Sequence, residues 1–441
     1  MRIAFVSANR EQLPDPVVPL GLLSVMANTP ADQDTVLWDL CFQRDPVAFL
    51  VQQLEAWRPQ LMALGLRNVQ NSDYTNIEDN LRYYELLVAA ARDAGVPVVL
   101  GGAGFSVMPR EILERLGADY GISGEGEAAF PALLAALEQG GQDFDAIPNL
   151  HRRVGEQIVS NPAPATLLDL DTLRPARRDA VDPRYYQRVG IESLQTKRGC
   201  PLGCEYCTYP LIEGRKHRLR DPLRVVDELE AALQAQPDVN HFFFVDSVFT
   251  LPARHATAVC TELMDRRIDL SWTCYANPIG FDRDLAALMK AAGCVGMEIG
   301  TDSGSDAILE RQRKGFTVAD VHRMHDICVD VGLLDCHTFV LGTTGETLDH
   351  VGETLDFLDE LQPFAAILMM WMEDLEALDP ALSQQRRAFR DAVRDLLVQR
   401  CATRPRWIAP QLRIAYDPRI FRILRKKGFT GPLWQYIHLN G

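Results

Sequence analysis

Three cysteines form the densest group of potentially reactive side chains in the sequence: Cys200, Cys204 and Cys207. They have the spacing C-x3-C-x2-C and lie in a glycine- and proline-containing segment that follows a predicted strand. Thiolates are the ligands that iron–sulfur clusters use, and this spacing lets one loop surround a cluster. Because the loop has only three thiols, one iron of a [4Fe–4S] cluster would keep an open position, as catalytic metals do. A zinc knuckle with a distant fourth ligand, or three structural thiols, is the alternative interpretation.

Two acidic residues and two histidines are further candidates for chemistry. Asp246 and Glu298 lie on or just after predicted strands and could form a paired-acid site. His322 and His325 are three residues apart on a predicted helix, which suits metal ligands. No third ligand is near them in the sequence, so we expect these two histidines to be surface residues.

The composition limits the class of protein. The chain has 441 residues, of which 47% are hydrophobic, and this length allows about three domains with substantial cores. The formal net charge of -15 opposes a general nucleic-acid-binding surface, which needs a basic field. No apolar run reaches the length of a membrane span, and the first residues lack the features of a signal peptide. We therefore expect a cytoplasmic protein with no nucleic-acid or membrane partner; the sequence does not indicate its oligomeric state.

Residues 1–145 alternate short apolar runs with amphipathic stretches, which predicts an N-terminal Rossmann-like, doubly wound domain. In such a domain ligands bind at the carboxyl ends of the strands. The predicted strands are Ile3–Ser7, Thr35–Asp39, Leu61–Leu66, Val96–Gly101 and Tyr120–Ser123, with helices such as Pro46–Trp57 and Ile77–Ala94 between them. Residues 146–190 are rich in proline and lack a helical period, which predicts a linker with a small hairpin.

Residues 191–375 resume the alternation, and the cysteine loop follows their first strand. The predicted strands are Ser193–Thr196, His241–Val245, Ser271–Tyr275, Gly296–Gly300, Cys336–Leu341 and Ala365–Met370. Six successive strand–helix units predict a partial (β/α)6 barrel of the TIM type, so the whole chain is α/β. Residues 376–441 are expected to form a small C-terminal extension with a helix near Ala381–Arg400.

The cysteine loop resembles the signature of the radical S-adenosylmethionine (SAM) superfamily, and the resemblance extends over residues 190–375. It includes the segments His241–Thr250, Ser271–Pro278, Gly296–Ser305, Lys314–Thr317 and Phe339–Thr347, although Thr344 stands where many relatives have proline. The resemblance implies that Cys200, Cys204 and Cys207 hold a [4Fe–4S] cluster whose open iron chelates SAM. It also implies an external one-electron reductant of the flavodoxin or ferredoxin type. The SAM-binding residues that it implies are Tyr206, Asp246, Glu298, Gly300, Gly342 and Thr343; for Glu298, a barrel-interior acid paired with Arg or Lys is the alternative.

Glycine-rich and polar turns at the strand ends of residues 1–145 resemble the cobalamin (B12)-binding domain of B12-dependent radical SAM enzymes. The residues that the resemblance places at a cobalamin site are Leu20, Cys41, Arg67, Asn68, Gly101, Gly102, Gly104, Gly124, Glu125 and Gly126. The D-x-H-x-x-G motif that supplies a histidine to cobalt is absent, and no histidine precedes His151. The resemblance therefore implies cobalamin without an imidazole ligand from this domain, with Arg67 near its lower face. A Rossmann-like domain without cofactor is the alternative; dinucleotide binding is disfavoured because no G-x-G-x-x-G follows the first strand.

Together the resemblances imply a cobalamin-dependent radical SAM enzyme that transfers a methyl group to an unactivated carbon or phosphorus centre of a small molecule. In this hypothesis one SAM methylates cobalamin, and a second SAM gives the 5′-deoxyadenosyl radical that abstracts a substrate hydrogen. Non-methylating radical SAM chemistry, such as rearrangement, cyclisation or aminocarboxypropyl transfer, is one alternative. A cobalamin or iron–sulfur sensor is the alternative outside enzymology. The identity of the substrate is not readable from the sequence.

Overall fold

The computed structural model describes residues 1–12, 15–70, 80–141, 143–187, 189–372 and 380–440. The chain forms two compact units. The first comprises the described residues up to Asp182 together with Pro210–Glu213, and the second comprises Pro183–Tyr209 and the described residues from Gly214 onward. Among the described helices, none combines the length and apolar character needed to cross a bilayer.

The first unit is built on one seven-stranded sheet with the order β2-β1-β3-β4-β5-β6-β7, in which the first five strands are parallel. Its strands are β1 (Arg2–Ser7), β2 (Asp34–Asp39), β3 (Leu61–Gly65), β4 (Val98–Gly101), β5 (Tyr120–Ile122), β6 (Leu150–Val154) and β7 (Gln157–Ser160). Its helices are α1 (Leu20–Asn28), α2 (Pro46–Trp57), α3 (Asn80–Asp93), α4 (Ala103–Val107), α5 (Pro109–Leu116) and α6 (Ala129–Glu138). Residues 77–79 of the predicted helix Ile77–Ala94 lie outside the described residues.

The hairpin expected after residue 145 is present as β6 and β7, but it belongs to the first sheet. Strand β6 pairs antiparallel with β5, and β7 pairs with β6. An isolated two-stranded hairpin is marginally stable in water, so pairing with the free edge of β5 stabilises it and covers that edge. The compact unit consequently extends past residue 145 to Asp182.

The second unit is an open parallel sheet with the order β16-β15-β14-β13-β12-β11-β8, surrounded by helices. The sheet strands are β8 (Ile191–Leu194), β11 (His241–Phe244), β12 (Ser271–Ala276), β13 (Cys294–Asp302), β14 (Leu334–Leu341), β15 (Ala365–Met370) and β16 (Trp407–Ile408). A separate two-stranded ribbon consists of β9 (Lys197–Arg198) and β10 (Arg218–Leu219). The helices are α7 (Arg184–Gln187), α8 (Tyr209–Ile212), α9 (Pro222–Ala235), α10 (Ala253–Asp265), α11 (Arg283–Ala291), α12 (Asp306–Arg311), α13 (Val318–Val331), α14 (Leu348–Leu361), α15 (Pro380–Cys401) and α16 (Pro418–Lys426). In α8, Tyr209 is assigned to the second unit and the remaining residues to the first.

All six predicted barrel strands lie in this sheet in chain order, and β16 of the C-terminal extension adds a seventh. Along β14 and β15, half-buried residues alternate with buried ones, as with Thr338 and Val340 beside Phe339 and Leu341. Alternate residues of a strand point to opposite faces. The buried set, including Phe339 and Leu341, packs with Val351, Leu355 and other residues of α14 in one hydrophobic core. The half-buried set therefore faces the concave side of the sheet, which we call the lumen.

Candidate functional site

The cysteine loop begins directly after β8 and β9 and is shaped by a tight backbone contact. Gly199 has a φ of +85°, and a Cβ at this position would lie 2.1 Å from the Lys216 carbonyl oxygen. A residue with a side chain is therefore excluded here. The Cys200 amide donates to the Gly214 carbonyl over 3.1 Å, which fixes the first cysteine against the segment that leads into β10.

The three loop thiols lie close enough to affect one another electrostatically. All three are free, with Cys200 buried and Cys204 and Cys207 half-buried. Burial, with smaller contributions from the Cys204 and Cys200 thiols, raises the pKa of the Cys207 thiol to about 11. Three thiolates this close repel one another, so a cationic group that binds all of them would favour their deprotonation.

Asp246 holds the residues that precede the cysteine loop through hydrogen bonds. This fully buried carboxylate follows β11 and accepts hydrogen bonds from the Thr196 and Lys197 amides over 2.7 and 3.1 Å. Its other oxygen accepts from the Thr196 hydroxyl over 2.5 Å and from the Lys197 ammonium over 3.2 Å. The structure gives the Asp246 oxygens four donors from the residues that lead into the cysteine loop, and a contact of Asp246 with SAM stays a prediction. Its observed contacts are those of a positioning residue.

A second set of charged groups contacts the cysteine loop at Tyr206, near its last cysteine. The Tyr206 hydroxyl donates to Asp302, the last residue of β13, and Lys314 forms an ion pair with the same carboxylate. The Lys314 ammonium also lies 3.3 Å from the Tyr206 hydroxyl. Asp302 and Lys314 are both buried, and the Tyr206 ring meets Trp371 edge-on at 5.5 Å. Sequence analysis placed Asp302 and Lys314 in family-like segments but assigned them no role, because only the fold brings them to Tyr206.

The loop after β14 is joined to the cysteine loop through Gln312. The Gln312 carbonyl accepts from the Glu205 amide over 3.0 Å, and its side-chain amide donates to the Thr343 hydroxyl over 3.1 Å. The Gly342 and Thr343 amides donate to Glu346 over 2.5 and 3.0 Å. The predicted residues Gly342 and Thr343 are thus connected to the cysteine loop, while Gln312 was missed because no motif marks it.

Glu298 lies in the lumen and is paired with a residue of the C-terminal extension. The Trp434 indole N–H donates to its carboxylate over 2.9 Å, so the partner is neither Arg nor Lys. Burial raises the pKa of Glu298 to about 7, although the indole hydrogen bond opposes this shift. Trp434 packs with Cys336 and Ala365 near the amino ends of β14 and β15, at the opposite end of the strands from the cysteine loop. The aromatic tail therefore closes that end of the lumen.

These residues fit an iron–sulfur cluster and SAM. The three free thiols on one loop are suitable cluster ligands. Space is available at Gly300, where a Cβ would have no neighbour within 4 Å. The Oε1 atoms of Gln312 and Glu346 are buried and have no hydrogen-bond partner in the part of the chain that the structure describes. Because buried polar atoms are normally satisfied, a bound molecule with amino or hydroxyl donors, as SAM has, would complete them.

In the first unit, glycines at the carboxyl ends of the strands are required by packing within the chain. Gly102 has a φ of +93°, and a Cβ there would lie 2.5 Å from the Leu66 carbonyl oxygen. A Cβ on Gly104 would lie 3.0 Å from the backbone of Arg67 and Asn68. Close approach of a large ligand, which the sequence suggested as the reason for such glycines, is thus not needed to explain these two. They allow the turn after β4 to pack on the chain that leaves β3.

The other predicted cobalamin residues lie around the same edge. Gly101 ends β4, Leu20 begins α1, and Cys41 follows β2 with its amide bonded to Asp39 over 2.9 Å. The Gly124 amide donates to Ser106 over 2.8 Å, and Glu125 is half-buried. A Cβ on Gly126 would lie 2.9 Å from Val25. The Arg67 side chain is 41% exposed and lies 3.8 Å from Glu11, so it is available at this edge.

This edge fits cobalamin whose cobalt receives no imidazole from the unit. His151 is held by Ser123 and Ser160, which lie 3.0 and 2.8 Å from its two ring nitrogens. Burial lowers its pKa to about 4, so it is neutral and fully hydrogen-bonded. At the end of β1, the Arg10 guanidinium covers the Tyr83 ring at 4.0 Å. The Tyr83 hydroxyl is buried without a hydrogen-bond partner among the described residues, and a ligand could complete it.

The histidines of α13 are not the surface pair that their spacing suggested. His322 is half-buried and packs edge-on against Phe357 at 5.2 Å. His325 is half-buried and contacts Asp335, which in turn contacts His337. Among the described residues, His325, but not His322, has two further potential ligands near it, because β14 lies beside this helix in the fold.

Comparisons with known families match both units. Residues 194–358 match the model of the radical SAM superfamily, and residues 7–134 match the model of the B12 binding domain. The tryptophan 2-C-methyltransferase of Streptomyces laurentii is 28% identical over 407 residues, which cover 77% of this chain and 67% of that protein. The anaerobic magnesium-protoporphyrin IX monomethyl ester cyclase of Rubrivivax gelatinosus is 27% identical over 275 residues, which cover 60% of this chain and only 49% of that protein.

A solved structure agrees with this assignment. The radical SAM methyltransferase TsrM from Kitasatospora setae, with cobalamin and a [4Fe–4S] cluster bound, has a TM-score of 0.73 at 27% identity; the match covers 84% of this chain and 72% of TsrM. TsrM with its tryptophan substrate and a SAM analogue bound has a TM-score of 0.75 at 28% identity, with 83% and 72% covered. With both family models matched and the fold shared, the chain belongs to the radical SAM superfamily, in the subgroup that carries a B12-binding domain.

Proposed function

We propose that this protein is a cobalamin-dependent radical SAM methyltransferase that acts on an unactivated carbon or phosphorus centre of a small molecule. The observation that carries the proposal is that one chain combines two features. The first is a three-thiol loop beside the lumen, and the second is a B12-type unit whose histidine, His151, is hydrogen-bonded within the unit and so is not free to bind cobalt. Methyltransferases among the relatives support it.

When bound, the reduced cluster and SAM supply radical chemistry, and cobalamin supplies methyl-group transfer. The residues of this chain would hold and orient these groups. Cys200, Cys204 and Cys207 would bind the cluster, while Asp246 and Lys314 keep the two sides of their loop in place. Rigid support of this kind is required because small misplacements of reacting atoms lower rates sharply.

Glu298 would hold or release a proton in the lumen. Its raised pKa, about 7, means that both protonation states are populated near neutral pH. Beside it, Phe243 and Tyr275 form an edge-on aromatic pair at 4.9 Å, with Tyr275 36% exposed. An acid and accessible aromatic faces suit a substrate with an apolar ring and an N–H or amino group. TsrM binds tryptophan, which has this character. An external one-electron reductant of the flavodoxin or ferredoxin type is part of the proposal.

Non-methylating radical chemistry is the second candidate, because the similar proteins include a cyclase. The cyclase of Rubrivivax gelatinosus is almost as similar in identity as the methyltransferase, so identity alone does not select methyl transfer. A sensor is disfavoured because it would not need Glu298 or the Gly342–Thr347 loop.

The test is anaerobic mass spectrometry of SAM products from cluster-loaded enzyme with reductant, with and without cobalamin. We expect S-adenosylhomocysteine and 5′-deoxyadenosine, the former only with cobalamin. Deoxyadenosine or methylthioadenosine without S-adenosylhomocysteine would favour the non-methylating candidate. No SAM cleavage by an enzyme with full iron content would contradict both and favour the sensor. A Cys204→Ala variant serves as the control for cluster-independent background.

A further inference from the structure

A cluster of two imidazoles and one carboxylate lies on the outer wall of the barrel, between α13 and β14. His325 Nδ1 lies 2.5 Å from Asp335 Oδ2, and His337 Nε2 lies 3.1 Å from the same oxygen. All three potential ligand atoms lie within 4.8 Å of one another. None of these residues belongs to the cysteine loop or to the lumen.

The outer atoms of this cluster are already fixed by further hydrogen bonds. His337 Nδ1 shares a hydrogen bond of 2.7 Å with the Thr301 hydroxyl, and Asp335 Oδ1 accepts from the Phe364 amide over 3.0 Å. Histidine and carboxylate ligands of metals usually have their second atom bonded in this way, which orients the first. The bonds therefore leave His325 Nδ1 and His337 Nε2 both facing Asp335 Oδ2.

The charge and accessibility of the cluster suit a cation. Although burial opposes it, hydrogen bonds from His325 and His337 lower the pKa of Asp335, which keeps the carboxylate ionised. Asp335 and His337 side chains are 4% and 0% exposed, whereas His325 is 15% exposed and offers a path from solvent. Two imidazoles and one carboxylate are a donor set typical of divalent zinc or iron.

We propose that His325, Asp335 and His337 form a binding site for a divalent transition-metal cation of the zinc type, separate from the cluster site. The cation takes the place of the hydrogens that the two imidazoles share with Asp335 Oδ2. Each imidazole binds it as the neutral ring, with its proton on the nitrogen that faces away from the carboxylate, so one proton leaves from each ring that was doubly protonated and none from a neutral ring. It ties α13 to β14 on the wall of the barrel. The alternative is a proton-sharing network without a metal, and the experiment separates the two.

The probe is zinc alone, added to enzyme with a full iron–sulfur cluster, so that the loop thiols are already occupied. Zinc affinity is measured by titration after removal of adventitious metal, and the ligands by X-ray absorption at the zinc edge. We expect one zinc per chain with nitrogen and oxygen ligands only. Cys328 follows His325 by one helical turn but falls outside the cluster, so no sulfur is expected.

Two variants and one control decide the assignment. Asp335→Asn preserves shape and His325→Gln changes the most accessible ligand, and each is expected to weaken zinc binding at least about tenfold. His322→Gln, one turn earlier on α13, is expected to bind zinc like the parent. If Asp335→Asn does not fold, His325→Gln decides alone. Absence of zinc binding in the parent, a sulfur ligand at the zinc, or unweakened binding in His325→Gln would each overturn the proposal.

Discussion

The two units present the carboxyl ends of parallel strands in different ways. In the barrel unit, buried charged groups support the cysteine loop: Asp246 with Lys197 below it, and Asp302 with Lys314 beside Tyr206. In the first unit, the corresponding edge is supported by backbone packing at Gly102 and Gly104. Buried charged side chains can hold one short loop in a fixed position, whereas glycine turns packed on backbone form a wide surface without large side chains. The difference matches a compact cluster in one unit and a large flat cofactor in the other.

The largest expected effect is loss of the cluster. Replacing Cys204 by Ala removes one of three thiols, and we expect the reconstituted variant to lose nearly all of its iron, because no other free thiol of the loop can substitute. Iron content per chain measures this. Cys401→Ala, a buried thiol on α15, is the matched control and is expected to retain its iron. An iron-loaded Cys204→Ala variant would contradict the assignment of the loop.

The next effect concerns the buried charges that distinguish the barrel unit. Asp246→Asn leaves the Lys197 ammonium buried without its counterion, which costs about 3–5 kcal/mol of unfolding free energy. The exposed pair of Arg283 and Asp330 is the control, and Asp330→Asn is expected to cost less than about 1 kcal/mol. Denaturant unfolding compares the two. Equal small losses would mean that the loop does not depend on this pair.

The glycine support of the first unit gives a smaller effect. Gly102→Ala forces a side chain onto a backbone with φ +93°, at a cost of about 1–3 kcal/mol, and adds the contact with Leu66. Gly95 has a φ of +70° and nothing within 4 Å of a Cβ, so Gly95→Ala reports the cost of a side chain at a positive φ without any contact. Denaturant unfolding of both variants is the measurement. If Gly102→Ala is no worse than Gly95→Ala, packing against Leu66 is unimportant and close approach of a ligand becomes the better reason for this glycine.

The smallest effect is a pH dependence from Glu298 in the barrel unit. Because its pKa is raised from 4.5 to about 7 in the folded protein, folding is favoured by the bound proton below pH 4.5, and this contribution is lost as the pH rises through 7. Glu298→Gln should therefore lose less thermal stability than the parent between pH 5 and pH 8. Melting temperatures at the two pH values measure this. A parent and variant with the same pH dependence would show that Glu298 titrates normally.

Much of the architecture was predictable because it depends on local patterns. Alternating apolar runs and amphipathic stretches identified every parallel strand of the two seven-stranded sheets except β16, which has only two residues. The hairpin of β6 and β7 was expected, but not its pairing with β5, since the free edge of a sheet is visible only when the sheet has formed. The overall α/β class and the family followed from the same segments and from the cysteine spacing.

The sequence by itself determined the reactive groups: the three-thiol loop, the lack of a histidine before His151, and the glycine-rich strand ends. The tertiary structure alone decided their surroundings. It placed Asp246 beneath the loop, Lys314 against Tyr206, Trp434 on Glu298, and His325 beside Asp335 and His337. The physical reason is that the partners lie on different elements of the fold. Motif spacing reports groups that one loop can gather, whereas a side chain that is buried with a partner on another element, whether 10 or 136 residues away, is specified only by the packing that brings the two elements together.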